Sequence, residues 1–194
     1  MTTLTEKITS AVNDTMRGYT VVEKPFYNSE TSKCRDRLGK FCLGTGMDIG
    51  FGGDSINKTA MNMDLRRPYT ELGDDPQHLW GHCADLHWFA DGQLDYIYSS
   101  HLIEDFSYEE MIVILREWLR VLKPLGHLVL YQPTEAVYKA HCDATGQSHN
   151  PGHKNDDFSF EALHKKVLPS LDVDLIYHED FDDEYSFDLV LRKR

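Results

Sequence analysis

The most constraining part of the sequence is residues 94–131, which predict a strand, a helix and a second strand in that order. Residues 94–98 have the composition of a buried strand and follow an Asp-Gly turn. Ser107 and Glu110 form the capping-box pattern that begins a helix, and apolar residues recur at helical spacing after it. Residues 127–131 are a second apolar strand. Because a helical crossover joins parallel strands, we expect an α/β fold with a parallel sheet.

The rest of the chain continues this alternation. Four further segments have the pattern of short elements, namely strands at 46–49 and 60–64 and helices at 134–141 and 160–167. A polar stretch at 143–156 predicts a long loop. Two final apolar runs, 173–177 and 185–191, predict an antiparallel pair, and the acidic segment 179–184 between them predicts a solvated turn. Residues 1–43 are mostly polar and predict one short helix with loop, as an N-terminal lid segment.

The acidic balance of the chain excludes several classes of partner. With 20 Lys+Arg and 32 Asp+Glu, the 194-residue chain has a formal net charge of −12. Such an excess of carboxylates repels nucleic-acid phosphates and anionic lipid headgroups, so neither nucleic acid nor a membrane is an expected partner. No run approaches the roughly 20 apolar residues that span a bilayer, and no signal-peptide pattern is present, so we expect a cytoplasmic protein.

Cysteine and histidine spacing gives no metal site. The four cysteines are scattered without a Cys-x-x-Cys pair, which indicates reduced thiols. One cluster contains both imidazole and thiolate, but its spacing fits no standard zinc site: His141, Cys142, His149 and His153. We therefore expect no bound metal.

A glycine-rich turn follows the first predicted strand. Glycines 50, 52 and 53 would let the backbone approach a bound ligand, although glycines after a strand are also typical of a simple tight turn. Asp48 precedes these glycines, Asp64 ends the next strand, and Asp85 follows further along. Carboxylates at successive strand ends would converge at the edge where α/β folds bind ligands, but each could also be an ordinary turn aspartate.

These motifs resemble, in order and spacing, those of class I S-adenosylmethionine-dependent methyltransferases. The resemblance rests on five segments: Asp-Ile-Gly-Phe-Gly-Gly at 48–53, Asp-Leu at 64–65, Ala-Asp-Leu-His-Trp-Phe at 84–89, the strand and His-Leu-Ile-Glu at 95–104, and Arg-Val-Leu-Lys-Pro-Leu-Gly ending the helical run at 115–126. It implies a Rossmann-like methyltransferase fold, which is a doubly wound, mostly parallel seven-stranded sheet with an antiparallel last strand. The methyltransferase domain would cover 44–194, with S-adenosyl-L-methionine as cofactor and S-adenosyl-L-homocysteine as product.

The resemblance also implies which residues contact the cofactor. Asp48 and the glycine turn would cradle the methionine part, Asp64 would accept both ribose hydroxyls, and Asp85 would accept from the adenine amino group. Ser100 and His101 would lie beside the methyl group. The full implied cofactor set is Asp48, Gly50, Phe51, Gly52, Asp64, Leu65, Ala84, Asp85, Leu86 and Ser100.

Two departures from the family pattern affect this assignment. Only ten residues separate Gly50 from Met61, which is too few for a full helix and its loops, so we expect the first helix to be short or absent. Many relatives also have a histidine after the Leu-Glu pair that follows the fourth strand, whereas this chain has Asp105 there. No role of that histidine transfers to this chain.

Methyl transfer mainly requires that the acceptor atom be held in line with the methyl group, because the methyl carbon already carries an excellent leaving group, the sulfonium. For a hydroxyl acceptor a base would help, and His101, with Glu104 close by, is the best-placed candidate; the alternative is a histidine that only bonds a neighbouring loop. Tyr131, His149 and His153 are candidates for the acceptor side. We expect a small-molecule acceptor with an oxygen or nitrogen nucleophile, such as a sugar or a surface-glycan precursor.

Two other functions fit part of this pattern. An NAD-dependent oxidoreductase shares the strand, glycine turn and acid, but the G-x-G-x-x-G fingerprint fails because Ser55 or Ile49 takes the place of its third glycine. A non-catalytic regulatory or assembly protein that binds S-adenosylmethionine would also need the cofactor motifs. Cofactor titration separates the first alternative from a methyltransferase, and a methyl-transfer screen separates the second.

Overall fold

The computed structural model describes residues 29–68, 73–181 and 184–194, and the expectation for residues 1–28 lies outside these ranges. The strands are β1 (Gly46–Ile49), β2 (Met61–Asp64), β3 (Leu79–Trp80), β4 (Leu94–Ser100), β5 (Leu122–Pro133), β6 (Val173–Asp180) and β7 (Ser186–Lys193). The helices within these ranges are α1 (Glu30–Leu38), α2 (Tyr108–Val121), α3 (Glu135–Thr145) and α4 (Phe160–Lys166). None of these four helices has the length and apolarity to cross a bilayer.

The seven strands form one sheet in the order β3-β2-β1-β4-β5-β7-β6. Strands β1 to β5 pair in parallel, and β7 pairs antiparallel with both β5 and β6. The expected seven-stranded, mostly parallel sheet is confirmed, as is the antiparallel pairing of the last two strands. The strand order reverses between β1 and β4, and the carboxyl ends of these two strands mark the place where open α/β sheets bind ligands.

The connection from β1 to β2 contains no helix in residues 50–60, which the structure describes throughout. Side chains organise it instead. The Asp48 carboxylate accepts a hydrogen bond from the Ile56 amide at 2.7 Å, and the Asn57 side-chain amide donates to the Tyr96 hydroxyl at 3.0 Å. The prediction of a short or absent first helix is therefore confirmed, and hydrogen bonds to residues of the sheet hold the loop in place.

Helix α2 begins at the predicted capping box. The Glu110 amide donates to the Ser107 hydroxyl at 3.3 Å, and the Ser107 amide donates to the Glu110 carboxylate at 2.8 Å. The buried face presents Met111, Leu115 and Trp118 to the sheet. The Trp118 indole N–H donates to the backbone carbonyl of Cys83 at 2.7 Å, so this helix also fixes the segment that follows β3.

We expect Ser107→Ala to destabilise the protein by about 1 kcal/mol, because it removes the side-chain acceptor that satisfies an amide in the first turn of α2. Urea unfolding followed by circular dichroism measures the change. Ser148→Ala, at an exposed position outside any helix, is the control and should stay within about 0.5 kcal/mol of the unaltered protein. Equal effects of the two substitutions would contradict the capping role.

Helix α1 packs into the core through two apolar side chains. Cys34 and Leu38 are fully buried and pack in a cluster with Tyr96 and Tyr98 of β4 on one face of the sheet. Like the other three cysteines, Cys34 is a free, buried thiol, which confirms the prediction of reduced cysteines. The short helix expected within residues 1–43 thus lies at residues 30–38, and the lid role of the segment stays a prediction.

The acidic segment between the last two strands also differs from the prediction. β6 extends to Asp180, so the first part of the segment belongs to the sheet. Glu184 is not solvated like a turn residue, because it accepts a hydrogen bond from the buried Tyr131 hydroxyl and pairs with Arg37 at 3.1 Å. The expected helix 134–141 likewise continues to Thr145 and ends at Gly146, which has the left-handed conformation of a helix C-cap.

Candidate active site

The glycine turn after β1 adopts a backbone that favours glycine. Gly50, Gly52 and Gly53 have φ values of 71°, 58° and 89°. A Cβ at Gly53 would come within 2.6 Å of the Gly73 carbonyl oxygen, so this turn packs directly against neighbouring backbone. Because these residues carry no side chain, the turn exposes its backbone to the space at the end of β1.

That space is a cavity of about 300 Å³ at the carboxyl ends of the central strands. Gly50, Phe51 and Gly52 line one side of it, and Ser100 and His101 at the end of β4 line the floor. The start of α1, one residue of α3 and the segment that follows α3 complete the wall. Their lining residues are Ser29, Glu30 and Thr31, then Tyr138, and finally Gln147, Asn150 and His153. The cavity thus joins the glycine turn to elements from both ends of the described chain.

A second, smaller cavity of about 90 Å³ lies beside the first. Its lining is mostly apolar and includes Met63, Leu65 and Phe106. Gly50, Asp64 and Leu102 line both cavities. The two spaces are therefore neighbours along one trough, with the end of β2 at their border.

Asp64 is held at this border by backbone amides. Its carboxylate accepts from Gly52 N at 3.3 Å and from Leu65 N at 2.7 Å. These contacts fix the carboxylate between the polar cavity and the apolar one. A carboxylate in that position can accept hydrogen bonds from hydroxyls of a ligand that spans the trough.

The three aspartates predicted to converge do not lie together. Asp48 is fully buried beneath the turn and lines neither cavity, and burial raises its pKa. Asp85 does not end a strand, since β3 ends at Trp80; its exposed side chain contacts the His87 ring at 2.7 Å and lines neither cavity. Of the three, the structure brings only Asp64 to the trough.

The segment after β3 shows why the position of Asp85 was misjudged. Gly81, His82 and Cys83 follow the strand directly and line the apolar cavity. Leu86 is fully buried and Ala84 packs against the same core, so neither reaches the cavity. Sequence reasoning missed His82 and Cys83, although their place immediately after an edge strand is the signal that could have identified them.

Histidines and carboxylates form a cluster in and behind the lining of the larger cavity. Oε1 of Glu104 lies 3.6 Å from the Nδ1 atom of His101 and 3.8 Å from the Nε2 atom of His153. His153 contacts Glu135 at 2.6 Å through its other nitrogen. The side chains of Glu104, His153 and Glu135 are at least nine-tenths buried, which makes this an unusual concentration of ionisable groups inside a protein.

His101 is strained and neutral. It is one of two non-glycine residues with positive φ in the described chain, at 48°, and its Nε2 atom contacts the Ser186 hydroxyl at 2.8 Å. Burial, with a contribution from Lys33 and His153, lowers its pKa to about 4, although Glu30 acts in the opposite direction. A base is most effective when its pKa lies near the working pH, so this geometry disfavours His101 as a general base.

The neutral state of His101 has a measurable consequence for stability. Its pKa of about 4 in the folded state lies below the value of about 6.5 in an unfolded chain, so the unfolded state binds more protons between these values. Stability from this group is complete above pH 6.5 and falls as the pH decreases toward 4. Between pH 6.5 and pH 4.5 the unaltered protein should lose about 2 kcal/mol more of its free energy of unfolding than His101→Gln does, measured by urea unfolding. An unchanged difference would contradict the buried, neutral state.

The other predicted acceptor residues divide into two groups. Ser100, Glu104 and His153 line the larger cavity. Tyr131 does not, because it is fully buried in β5, and His149 does not, because it is exposed and contacts Asp143 at 2.8 Å. Residues that sequence reasoning missed replace them: Glu30, Tyr138, Asn150 and Tyr185. Glu30 and Tyr185 are distant in sequence, and no local pattern signals their meeting.

Comparisons with known proteins agree with this geometry. Residues 44–130 match a family model described as a methyltransferase domain. A protein, PH0226, from Pyrococcus horikoshii OT3 has a similar structure, with a TM-score of 0.67, 15% identity, and coverage of 95% of this chain and 99% of that chain. A search of curated proteins finds no sequence match.

Two further solved structures share the fold. A SAM-dependent methyltransferase from Archaeoglobus fulgidus has a TM-score of 0.63 at 14% identity, covering 88% of this chain and 97% of that chain. Magnesium protoporphyrin IX methyltransferase from Synechocystis PCC 6803, solved with bound SAH, has a TM-score of 0.57 at 14% identity, with 95% of each chain covered. Over residues 44–130 the chain is therefore similar to a methyltransferase domain, and it shares its fold with methyltransferases that depend on S-adenosylmethionine as cofactor.

The residues at the trough fit that cofactor. The bare glycine backbone borders the polar cavity, the Asp64 carboxylate lies at the junction, and the adjoining cavity is apolar enough for a nucleobase. The sheet also differs from that of dinucleotide-binding enzymes, whose last strand is parallel to the others, whereas β7 here is antiparallel. This difference disfavours the alternative of an NAD-dependent oxidoreductase.

Proposed function

We propose that this chain transfers the methyl group of S-adenosylmethionine to a small-molecule acceptor bound in the larger cavity. The observation that carries the proposal is the position of the buried Glu104 cluster, which shares one cavity with the glycine turn. The lining comes from the glycine turn, from α1 and from the segment around Asn150, so an acceptor would be enclosed on several sides. A volume of about 300 Å³, part of which the cofactor takes, suits a small acceptor better than a polymer.

The roles of the cofactor residues are part of the same proposal. Asp64 accepts hydrogen bonds from the ribose hydroxyls, and the glycine turn lies against the methionine part. Leu65, His82 and Cys83 surround the base in the apolar cavity, a role that the resemblance had given to Asp85. Asp48 acts indirectly, because its hydrogen bond to the Ile56 amide holds the loop that carries the glycine turn.

The chain's own residues supply alignment and exclusion of water. When bound, the cofactor supplies an electrophilic methyl group on a sulfonium, so most of the acceleration can come from holding the acceptor atom in line with it. Ser100 and His101 form the floor of the cavity, and the strained backbone at His101 fixes that floor in one shape. Tyr138 and Tyr185 line the same cavity, and the Tyr185 ring lies 5.8 Å from the His101 ring.

A methyl-transfer screen tests the proposal. Protein is incubated with methyl-labelled S-adenosylmethionine and a panel of small amines, alcohols, phenols and sugars, and label is followed into products by chromatography. We expect label in at least one small product with the unaltered protein and a strongly reduced amount of that product with Asp64→Ala. Labelling of protein or nucleic acid alone would contradict a small-molecule acceptor, and cofactor binding with no transfer to any acceptor would favour a regulatory role.

A further inference from the structure

The charged side chains that line the larger cavity in the described ranges are acids, beside two histidines, His101 and His153. Glu30, Asp64 and Glu104 line it, whereas no Lys or Arg does so among the residues that the structure describes. Lys33 is nearby, but its ammonium group is paired with Glu30 at 2.7 Å. A phosphate or carboxylate on the acceptor would meet repulsion here without compensation. The lining instead suits an acceptor that carries positive charge.

One carboxyl oxygen of Glu104 is buried and accepts no hydrogen bond from the described residues. The residue is 2% exposed, and its Oε2 atom has no hydrogen-bond partner within the described ranges. The other oxygen lies between the rings of His101 and His153, at 3.6 and 3.8 Å. A buried carboxyl oxygen without a partner is costly, and such groups in native structures usually have a ligand or a functional role. An N–H donor from the acceptor would satisfy Oε2.

Aromatic rings lie on the same side of the cavity. The rings of Tyr138 and Tyr185 meet edge to face at 5.5 Å, and the ring of Tyr138 lies 4.8 Å from that of His153. The ammonium of Lys33 already lies 4.7 Å from the centre of the Tyr185 ring. Aromatic faces attract cations through their quadrupole, so these rings favour a charged nitrogen in the adjoining space.

We propose that the acceptor is a small alkylamine that enters as an ammonium ion, and that Glu104 binds this ion and removes its proton. The inference rests on the proposed function, because it names the chemical class of the acceptor at the same site. Tyr138 and Tyr185 contact the alkyl part of the amine, and Glu104 is the group that distinguishes an ammonium from a hydroxyl of equal size.

The proposed reaction balances in atoms and charge. The ammonium loses one proton to the Glu104 carboxylate, which leaves a lone pair on nitrogen. That pair forms the new nitrogen–carbon bond to the methyl group while the carbon–sulfur bond breaks, and the bonding electrons remain on sulfur. The products are the N-methylated ammonium, the neutral thioether S-adenosylhomocysteine and the protonated Glu104. Burial raises the pKa of Glu104, and a bound ammonium acts in the opposite direction, because a nearby positive charge favours the carboxylate form.

The cluster behind Glu104 offers a path for the released proton. His153 lies next to Glu104, and its other ring nitrogen contacts Glu135 at 2.6 Å. Glu135 in turn pairs with Lys139 at 3.1 Å, whose side chain is one-third exposed. A series of titratable groups therefore connects the cavity to solvent along α3.

Calorimetry with matched probes tests the proposal directly. Protein saturated with S-adenosylhomocysteine is titrated with phenethylamine and with 2-phenylethanol, which differ only in the ammonium and hydroxyl groups, and then with propylamine and 1-propanol. We expect each amine to bind about 10- to 100-fold more tightly than its alcohol, as a charge-assisted hydrogen bond predicts. Equal binding within both pairs, including no binding of any probe, would overturn the proposal.

A pair of variants assigns the selectivity to one side chain. We expect Glu104→Gln to remove the preference for the amine while the melting temperature and the affinity for S-adenosylhomocysteine stay near those of the unaltered protein. Glu109→Gln, an exposed neutralisation at the start of α2, controls for net charge and should leave the preference intact. A Glu104→Gln protein that still prefers the amine, or a preference reduced equally by Glu109→Gln, would overturn the role of Glu104.

The two proposals fail in different ways. If the unaltered protein does not bind S-adenosylhomocysteine, the proposed function fails. If it binds S-adenosylhomocysteine and methylates alcohols, phenols or sugars but no amine, the function stands and the inference about the acceptor is wrong.

Discussion

Asp64→Ala should lower the affinity for S-adenosylhomocysteine by about 100-fold or more, measured by isothermal titration calorimetry. The carboxylate lies at the junction of the two cavities and is held there by the amides of Gly52 and Leu65. Two hydrogen bonds from ribose hydroxyls to a charged carboxylate are together worth about 3 kcal/mol or more, which corresponds to that factor. Asp64→Asn should give a smaller loss, because the amide keeps the shape and one acceptor.

Asp85→Ala is the matched control for this experiment. The resemblance assigned Asp85 to the adenine, whereas in the structure its side chain is exposed beside His87 and lines neither cavity. We therefore expect its affinity for S-adenosylhomocysteine to stay within about twofold of the unaltered value. A large loss for Asp85→Ala together with a small loss for Asp64→Ala would show that the cofactor lies elsewhere.

Arg37→Met should destabilise the protein by about 3–5 kcal/mol, because it leaves the buried carboxylate of Asp188 without its partner. Arg37 Nε donates to Asp188 at 2.9 Å, and the Asp188 side chain is fully buried. Burial raises the pKa of Asp188 and Arg37 opposes this, so removing the arginine would raise it further. Urea unfolding at pH 7 measures the loss.

Two controls isolate the buried charge. Lys58→Met breaks an ion pair with Asp75 in which the lysine is 84% exposed, and it should cost less than about 1 kcal/mol. The double variant with Arg37→Met and Asp188→Asn removes the uncompensated charge and should recover part of the loss. Equal costs for the two single variants, or no recovery in the double variant, would contradict this explanation.

The fold could be predicted from the sequence because its signals are local. The capping box at Ser107 and the apolar stripe behind it fix α2, and a crossover helix requires parallel neighbours. The short interval from Gly50 to Met61 predicted, by length alone, a first helix that is short or absent, and the structure has none there. The packing of the helix at residues 30–38 could not be predicted, because its polar composition hides the two buried residues, Cys34 and Leu38, that attach it to the sheet.

The site was predicted only in part, because its residues meet through tertiary structure. Asp64 lies at the end of a strand, so its place followed from the strand. Asp85 lies in an irregular segment after a two-residue strand. In such a segment, an error of one residue in the expected turn decides whether a side chain is placed in the cavity or on the surface. Tyr131 is fully buried in β5, and no residue of that strand lines either cavity. The contact of Glu30 with Tyr185, 155 positions away, has no local signal.

A crystal structure with bound S-adenosylhomocysteine is the most direct test of this account. We predict the ribose on the Asp64 carboxylate, the base in the apolar cavity beside Leu65 and His82, and the sulfur facing the floor formed by Ser100 and His101, with the Glu104 cluster beyond it. A ribose held by any residue other than Asp64, or a sulfur directed away from the Glu104 cluster, would contradict the central claim that one trough joins cofactor and acceptor.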